Sequence, residues 1–198
     1  MVGTRLSSDE RREHLLHVGV ELIGRYGTAD VSIEEIARAA GVSKGLLYHY
    51  FPTKTDFFVA VLARSQAEMD QAVERDPELT PLEQFDRNLD GFLGFVDAHA
   101  EGYLAVVNAR GREPHVHELV EERRRRRVDE LVALAAVLEG VPRDAARTPL
   151  LVASIEGWIG FTEGVIVRWL RDREIGKEEV HQLLREVFLQ VLGGRVRA

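Results

Sequence analysis

The chain has 198 residues, of which 45% are hydrophobic and 30% charged, with a net charge of −7 at pH 7 and no cysteine. That apolar share is ample for the core of a soluble protein of one or two domains, and the lack of thiols excludes disulfides and thiolate metal sites. The opening residues, MVGTRLSSDERRE, hold no apolar core that could serve as a secretion signal, so a cytoplasmic protein is expected.

No segment alternates apolar and polar residues as a strand would. Helical patterns follow one another, broken at Gly27, Gly41, Pro52, Pro77 to Pro81, Glu113 to Pro114, Gly140 to Pro142 and Gly176, which predicts an all-α chain. In the first helix Leu15, Leu16, Val18, Gly19, Leu22 and Ile23 form an inward stripe. Ser32 followed three residues later by Glu35 is a capping box, so a second helix starts there. Its narrow apolar face is Ile33, Ile36, Ala37 and Ala40, with Glu34, Glu35 and Arg38 opposite. Gly41 tolerates the left-handed backbone of a sharp helix end, Val42 can fill the corner, and Ser43 can cap the next helix. This is helix-turn-helix spacing.

In the following helix Leu47, Tyr50 and Phe51 face inward, which leaves Lys44, Gly45, Leu46, Tyr48 and His49 on or near the outward, N-terminal side. In such motifs that end meets base edges. Pro52 stops the helix, and Thr53 can cap the next one, so that Lys54 stands beside a helix N-terminus attractive to phosphate. Arg5, Arg11 and Arg12 could flank a DNA backbone. Residues 1–55 hold seven basic and seven acidic side chains, so most of the excess acid lies beyond them and the net charge does not argue against DNA.

A fourth helix is predicted from Thr53 to Arg75, with Phe57, Phe58, Val61 and Leu62 apolar. Further helices are predicted near 82–98, 101–110, 114–139, 143–171 and 177–193. The expected organisation is a three-helix DNA-binding domain over 1–55 and a larger helical domain over 56–198 for regulation, ligand binding and dimerisation. The stretch 149–170 is long and apolar enough to suggest a membrane span, yet Glu156 and Glu163 lie inside it, which predicts a buried helix of a soluble protein and no membrane.

Those two glutamates share a helix face and need partners. Arg124 or Arg127, from the run Arg123 to Arg127, could supply one, and either guanidinium could instead meet an anionic ligand. Glu121 and Glu122 stand four residues before Arg125 and Arg126, as surface pairs do. Phe92, Phe95, His99, Tyr103, Trp158 and Phe161 could line an apolar effector pocket, with Arg124, Arg127 and Glu163 as polar handles; they could equally be plain core. Ala153, Gly157, Gly160 and Gly164 follow one helix stripe where a second helix could approach closely, which suggests a dimer helix.

Two patterns point elsewhere without the context they need. Gly41 to Gly45 reads GxSxG, but a nucleophile elbow requires a strand before the serine, and here a helix precedes Ser43. His115 and His117, with Glu113 and Glu118, would converge on a metal only along a strand. No catalytic set, metal site or cofactor site is expected.

The run AxxAGVSKGLLYHYFPTKTDFF, together with Tyr26-Gly27 ahead of Val31 and Ser32, resembles the N-terminal domain of TetR-family transcriptional regulators over about residues 9–60. The resemblance implies that Lys44, Gly45 and Leu46 approach bases, while Ser32, Ser43, Tyr48, His49 and Lys54 contact phosphates. Leu46 can touch only a thymine methyl, so specificity would lean on Lys44 reading guanine and on DNA shape.

It also implies that the last two helices of two chains form a four-helix bundle, with Val165, Leu183, Leu184, Val187, Phe188 and Val191 in the interface. A homodimer would then place two recognition helices in successive major grooves of a roughly palindromic double-stranded operator. A small-molecule effector that prefers a wider-spaced conformer would release it, with repression as the output. The alternative is a DNA-binding scaffold without a small-molecule ligand, whose second half only dimerises or meets another protein.

Overall fold

The computed structural model describes residues 7–71, 76–109 and 114–193, and every regular element among them is an α-helix. In chain order these are α1 (Ser8–Asp30), α2 (Ile33–Ala39), α3 (Lys44–Tyr50), α4 (Lys54–Gln71), α5 (Pro81–Ala98), α6 (Ala100–Ala109), α7 (Pro114–Glu139), α8 (Arg143–Ala146), α9 (Pro149–Asp172) and α10 (Lys177–Gly193). The all-α expectation holds.

One predicted helix, 143–171, is two. Thr148 leaves the helical region at φ −86° and ψ 152°, its hydroxyl accepts from the Leu151 N–H, and Pro149 opens the new helix. Proline lacks the N–H that would continue α8 and disfavours helical backbone in the residue before it. The expected extension of α4 to Arg75 and the cluster around Glu113 and His115 lie outside the described residues and side chains.

The described residues fall into two compact units. One is drawn from Met1–Gln71 with His99–Leu119, the other from Ala72–Ala98 with Val120–Ala198. The expected break between residues 55 and 56 falls in the first turn of α4, inside the first unit.

In the first unit α1 packs against α2, α4 and α6. Its core joins Leu15, Leu16 and Ile23 to Ile36, Leu47, Phe51, Phe57 and Val61, with Ala105 of α6 packed against it. Each such side chain contributes about 1.5–3 kcal/mol by leaving water. Phe51 and Phe57 meet edge to face, with centroids 5.1 Å apart.

In the second unit α5 presents Phe85, Leu89, Leu93 and Val96 inward, and α10 presents Val180, Leu184, Phe188 and Leu192. The Phe85 and Phe188 rings stack at 4.3 Å, Trp158 of α9 lies 5.0 Å from Phe188, and its indole N–H donates to the Leu184 carbonyl at 2.9 Å. Acidic residues of α5 pair with bases beyond them: Asp86 with Arg185 at 2.8 Å, Asp90 with Lys177 at 2.7 Å, and Asp97 with Arg173.

Leu184 and Phe188, expected in a dimer interface, are 0% exposed in the single chain. They face α5 and α9 of their own chain and have no surface to offer a second copy. Trp158, expected either to line a pocket or to be plain core, is buried beside Phe85, Leu184 and Phe188.

Candidate nucleic-acid interface

The recognition device is built by caps. Ser32 Oγ accepts from the Glu35 N–H at 3.2 Å while the Glu35 carboxylate accepts from the Ser32 N–H at 2.8 Å and from its hydroxyl at 2.6 Å. These hydrogen bonds hold the Glu35 carboxyl below the usual glutamate range. Gly41 then takes φ +67°, and the Val42 N–H reaches back to the Ala37 carbonyl at 2.9 Å, closing α2. The chain turns there, and the Ser43 hydroxyl caps α3 by accepting from the Leu46 N–H at 3.1 Å.

Leu47 is 0% exposed and anchors α3 to the core. With that side fixed, helical geometry turns Lys44, Gly45, Tyr48 and His49 outward, and all four are exposed, while Leu46 is half-buried. Gly45 faces open space, since a Cβ there would meet only Ser43 Oγ at 4.0 Å. Backbone at that point can therefore come close to another molecule.

The helix starts of this unit differ in charge. α1 is capped by Ser7 and Glu10, α2 by Ser32 and Glu35, and α4 by Thr53, whose N–H and hydroxyl donate to the Asp56 carboxylate at 3.0 and 2.8 Å. α3 has no acid in its first turn. A helix start without an acid in its first turn leaves the positive end of the helix dipole uncompensated by its own side chains.

Around α3 the cations lie on aromatic rings. Lys44 Nζ sits 5.8 Å above the Tyr48 ring, Lys54 Nζ 5.0 Å above Phe58, and the Arg12 guanidinium 5.2 Å above Phe51. Ser8 Oγ donates to the Tyr50 hydroxyl at 3.3 Å, tying the start of α1 to the end of α3. His14 Nε2 donates to the Ala40 carbonyl at 3.1 Å beside a surface cleft of about 400 Å³ lined by Arg11, Gly41, Ser43 and Leu46 among others.

Lys44 also donates to the Glu34 carboxylate across the turn. That hydrogen bond pulls the Glu34 carboxyl down and the Lys44 ammonium up from their ordinary values. Sequence reading missed Glu34 and Ser8 because each acts across a turn or between helices. Nothing in the local pattern marks either.

The residues nominated for an effector pocket are divided. His99 and Tyr103 belong to the first unit, and Phe92, Phe95, Arg124, Arg127, Trp158, Phe161 and Glu163 to the second. Phe161 is 39% exposed on the outer side of α9. Arg124 donates to the backbone carbonyl of Glu156 at 2.9 Å, not to a carboxylate, and Arg127 pairs with Glu130 at 3.1 Å. Glu156 is exposed and needs no buried partner. The apolar helix α9 is one-sided, with Leu151, Ile155, Trp158, Ile166 and Trp169 inside and the stripe Ala153, Gly157, Gly160 and Gly164 outside.

An all-helical chain that presents a capped, exposed second helix after a glycine turn is a helix-turn-helix regulator of transcription that binds DNA. Residues 15–61 match the family described as bacterial regulatory proteins, tetR family, and residues 81–191 match the family described as tetracyclin repressor-like, C-terminal domain. The chain belongs to the TetR family.

It is similar to the transcriptional activator FasR of Mycolicibacterium smegmatis, at 32% identity over 117 residues that cover 58% of this chain and 53% of that one. The matched part thus spans about half of FasR. It is also similar to the transcriptional regulator BetI of Escherichia coli, at 26% identity over 92% of this chain and 94% of that one. Among solved structures, a TetR-family regulator from Streptomyces coelicolor superposes with a TM-score of 0.79 at 27% identity, over 96% of this chain and 83% of the other. A TetR-like regulator from a Rhodococcus species gives 0.76 at 26% identity, over 96% and 100%.

Proposed function

We propose that the protein is a cytoplasmic homodimeric repressor that occupies a palindromic operator and leaves it when a small molecule binds the second unit. The observation that carries the DNA half of this reading is α3: Leu47 anchors it, while Lys44, Gly45, Tyr48 and His49 are exposed on its outer side and its first turn holds no acid. Lys44, Gly45 and Leu46 meet base edges, and Ser32, Ser43, Tyr48, His49 and Lys54 meet phosphates. The oxygen of Ser43 accepts the capping bond, and its O–H proton remains available as a donor.

Dimerisation is supported by the outer face of α9. Leu150 is 68% exposed and Phe161 39%, the small residues Ala153, Gly157, Gly160 and Gly164 are exposed on the same helix, and Leu183 of α10 is 40% exposed. Apolar side chains so arranged favour cover by a like surface, and small residues allow close helix approach. Val191, half-buried on α10, takes part at the edge.

Effector response is supported by the match of residues 81–191 to the tetracyclin repressor-like C-terminal domain. Packing of α6 on α1 gives residues from beyond the DNA-binding helices a direct hold on the first helix of the reading unit.

The test is selection of DNA by the full-length protein from a randomised duplex library, followed by gel shift at fixed salt and a reporter assay on the enriched site. Enrichment of an inverted repeat bound by two chains, with reporter output lowered by the protein, is expected. Failure to enrich any sequence would overturn the reading. Raised reporter output would replace repression by activation, as in the FasR relative.

A further inference from the structure

Ser32 uses Glu35 for its cap and leaves Glu34 over. The Glu34 carboxylate accepts from Lys44 across the helix-turn-helix corner, and the same ammonium lies 5.8 Å above the Tyr48 ring. The Lys44 and Glu34 side chains are 52% and 55% exposed, so both remain at the surface that α3 offers to DNA. Lys44 is also the only lysine or arginine between Arg38 and Lys54. The single cation of the recognition helix is therefore held between a carboxylate and an aromatic face.

We propose that Glu34 is a specificity-determining positioning residue, which withholds Lys44 from phosphates and leaves it free to read guanine; this rests on the DNA-binding reading above. An ammonium has three N–H donors. Guanine presents two uncharged acceptors, O6 and N7, in the major groove. Lys44 can serve both while its third donor stays on Glu34. A phosphate shares the ammonium at a cost that a guanine edge does not meet, because its negative charge is repelled by the adjacent carboxylate. Glu34 therefore weakens every complex in which Lys44 meets a backbone, and spares the complex in which Lys44 meets a guanine edge.

The test uses the full-length protein, a duplex enriched from a randomised library, and an unselected duplex of the same length. Glu34→Gln should raise affinity for the unselected duplex several-fold and steepen its log–log salt dependence by about one unit, as one more phosphate contact does. The ratio of selected to unselected affinity should fall. In a Lys44→Ala background, Glu34→Gln should leave the unselected affinity nearly unchanged. An equal gain in that background would mean that Glu34 repels phosphates directly, and an unchanged ratio in the wild-type background would mean that it sets no specificity; either result overturns the proposal. Thermal unfolding of each variant checks that the first unit is intact. Should the wild-type protein enrich no sequence, the DNA-binding reading fails, while the coupling of Glu34 to Lys44 is still read on the unselected duplex.

Discussion

Gly19 of α1 lies under the Phe57 ring of α4, so closely that a Cβ at position 19 would stand 2.6 Å from Phe57 Cζ and 2.6 Å from Val61 Cγ2. Phe57 is 0% exposed and Val61 1%, so neither can swing away into solvent. Because α1, α2 and α3 share one core with these two side chains, the crossing of α1 and α4 helps to fix the recognition helix.

Gly19→Ala should accordingly destabilise the first unit by about 1–3 kcal/mol, the usual cost of forcing extra volume into a packed core. Chemical denaturation followed by circular dichroism measures it. A midpoint equal to that of the wild type would show that α1 and α4 can separate without cost.

Gly45→Ala separates fold from function in the same unit. The added methyl meets only Ser43 Oγ at 4.0 Å, and alanine favours a helix over glycine by about 0.5–1 kcal/mol, so stability should hold or rise. DNA affinity at matched salt should fall, since the methyl intrudes where the helix approaches the groove. Equal affinity would remove Gly45 from the interface.

Phe188→Ala tests the corrected place of α10's inner face. A large-to-small change at a ring stacked at 4.3 Å on Phe85 should cost about 3–5 kcal/mol of stability. Retained stability with loss of self-association alone would return Phe188 to the dimer interface.

Gly157→Glu and Gly164→Glu should act in the opposite way. A Cβ at either position meets nothing within 4 Å in the single chain, so folding should be kept. Light scattering should report a particle near the 22.3 kDa chain mass, in place of roughly twice that for the wild type, together with loss of high-affinity DNA binding. Dimers formed by both variants would move the interface off this stripe.

Acid should loosen the caps, and Glu35 shows the sign. Hydrogen bonds from the side chain and backbone of Ser32 lower its folded pKa, so its contribution is present above the unfolded value near 4.5 and is lost as pH falls through the lowered folded value. Glu35→Gln should therefore melt below the wild type at neutral pH, and the gap should close on acidification. A gap independent of pH would mean that the charge of Glu35 adds nothing to the cap.

Sequence alone determined what is local: the Ser32 and Glu35 capping box, the turn at Gly41, the cap at Ser43, and with them the helix-turn-helix and the family. Those features are settled by hydrogen bonds within three or four residues and by backbone freedom at one glycine, so short-range chemistry is enough to read them. Pro149 carried an equally local stop signal that the apolar pattern around it masked.

Tertiary structure decided which apolar face goes inside. α9 has two such faces, and periodicity could not tell the Trp158 side, buried against Phe85 and Phe188, from the Phe161 side, left exposed. On α10 the adjacent Leu183 and Leu184 look alike in sequence, yet one is 40% exposed and the other fully buried. The pair Glu34 with Lys44 joins two helices, and Asp97 with Arg173 joins α5 to the cap that ends α9. Their partners are set by how those helices pack, a choice made by the summed burial of many side chains and by no single short motif.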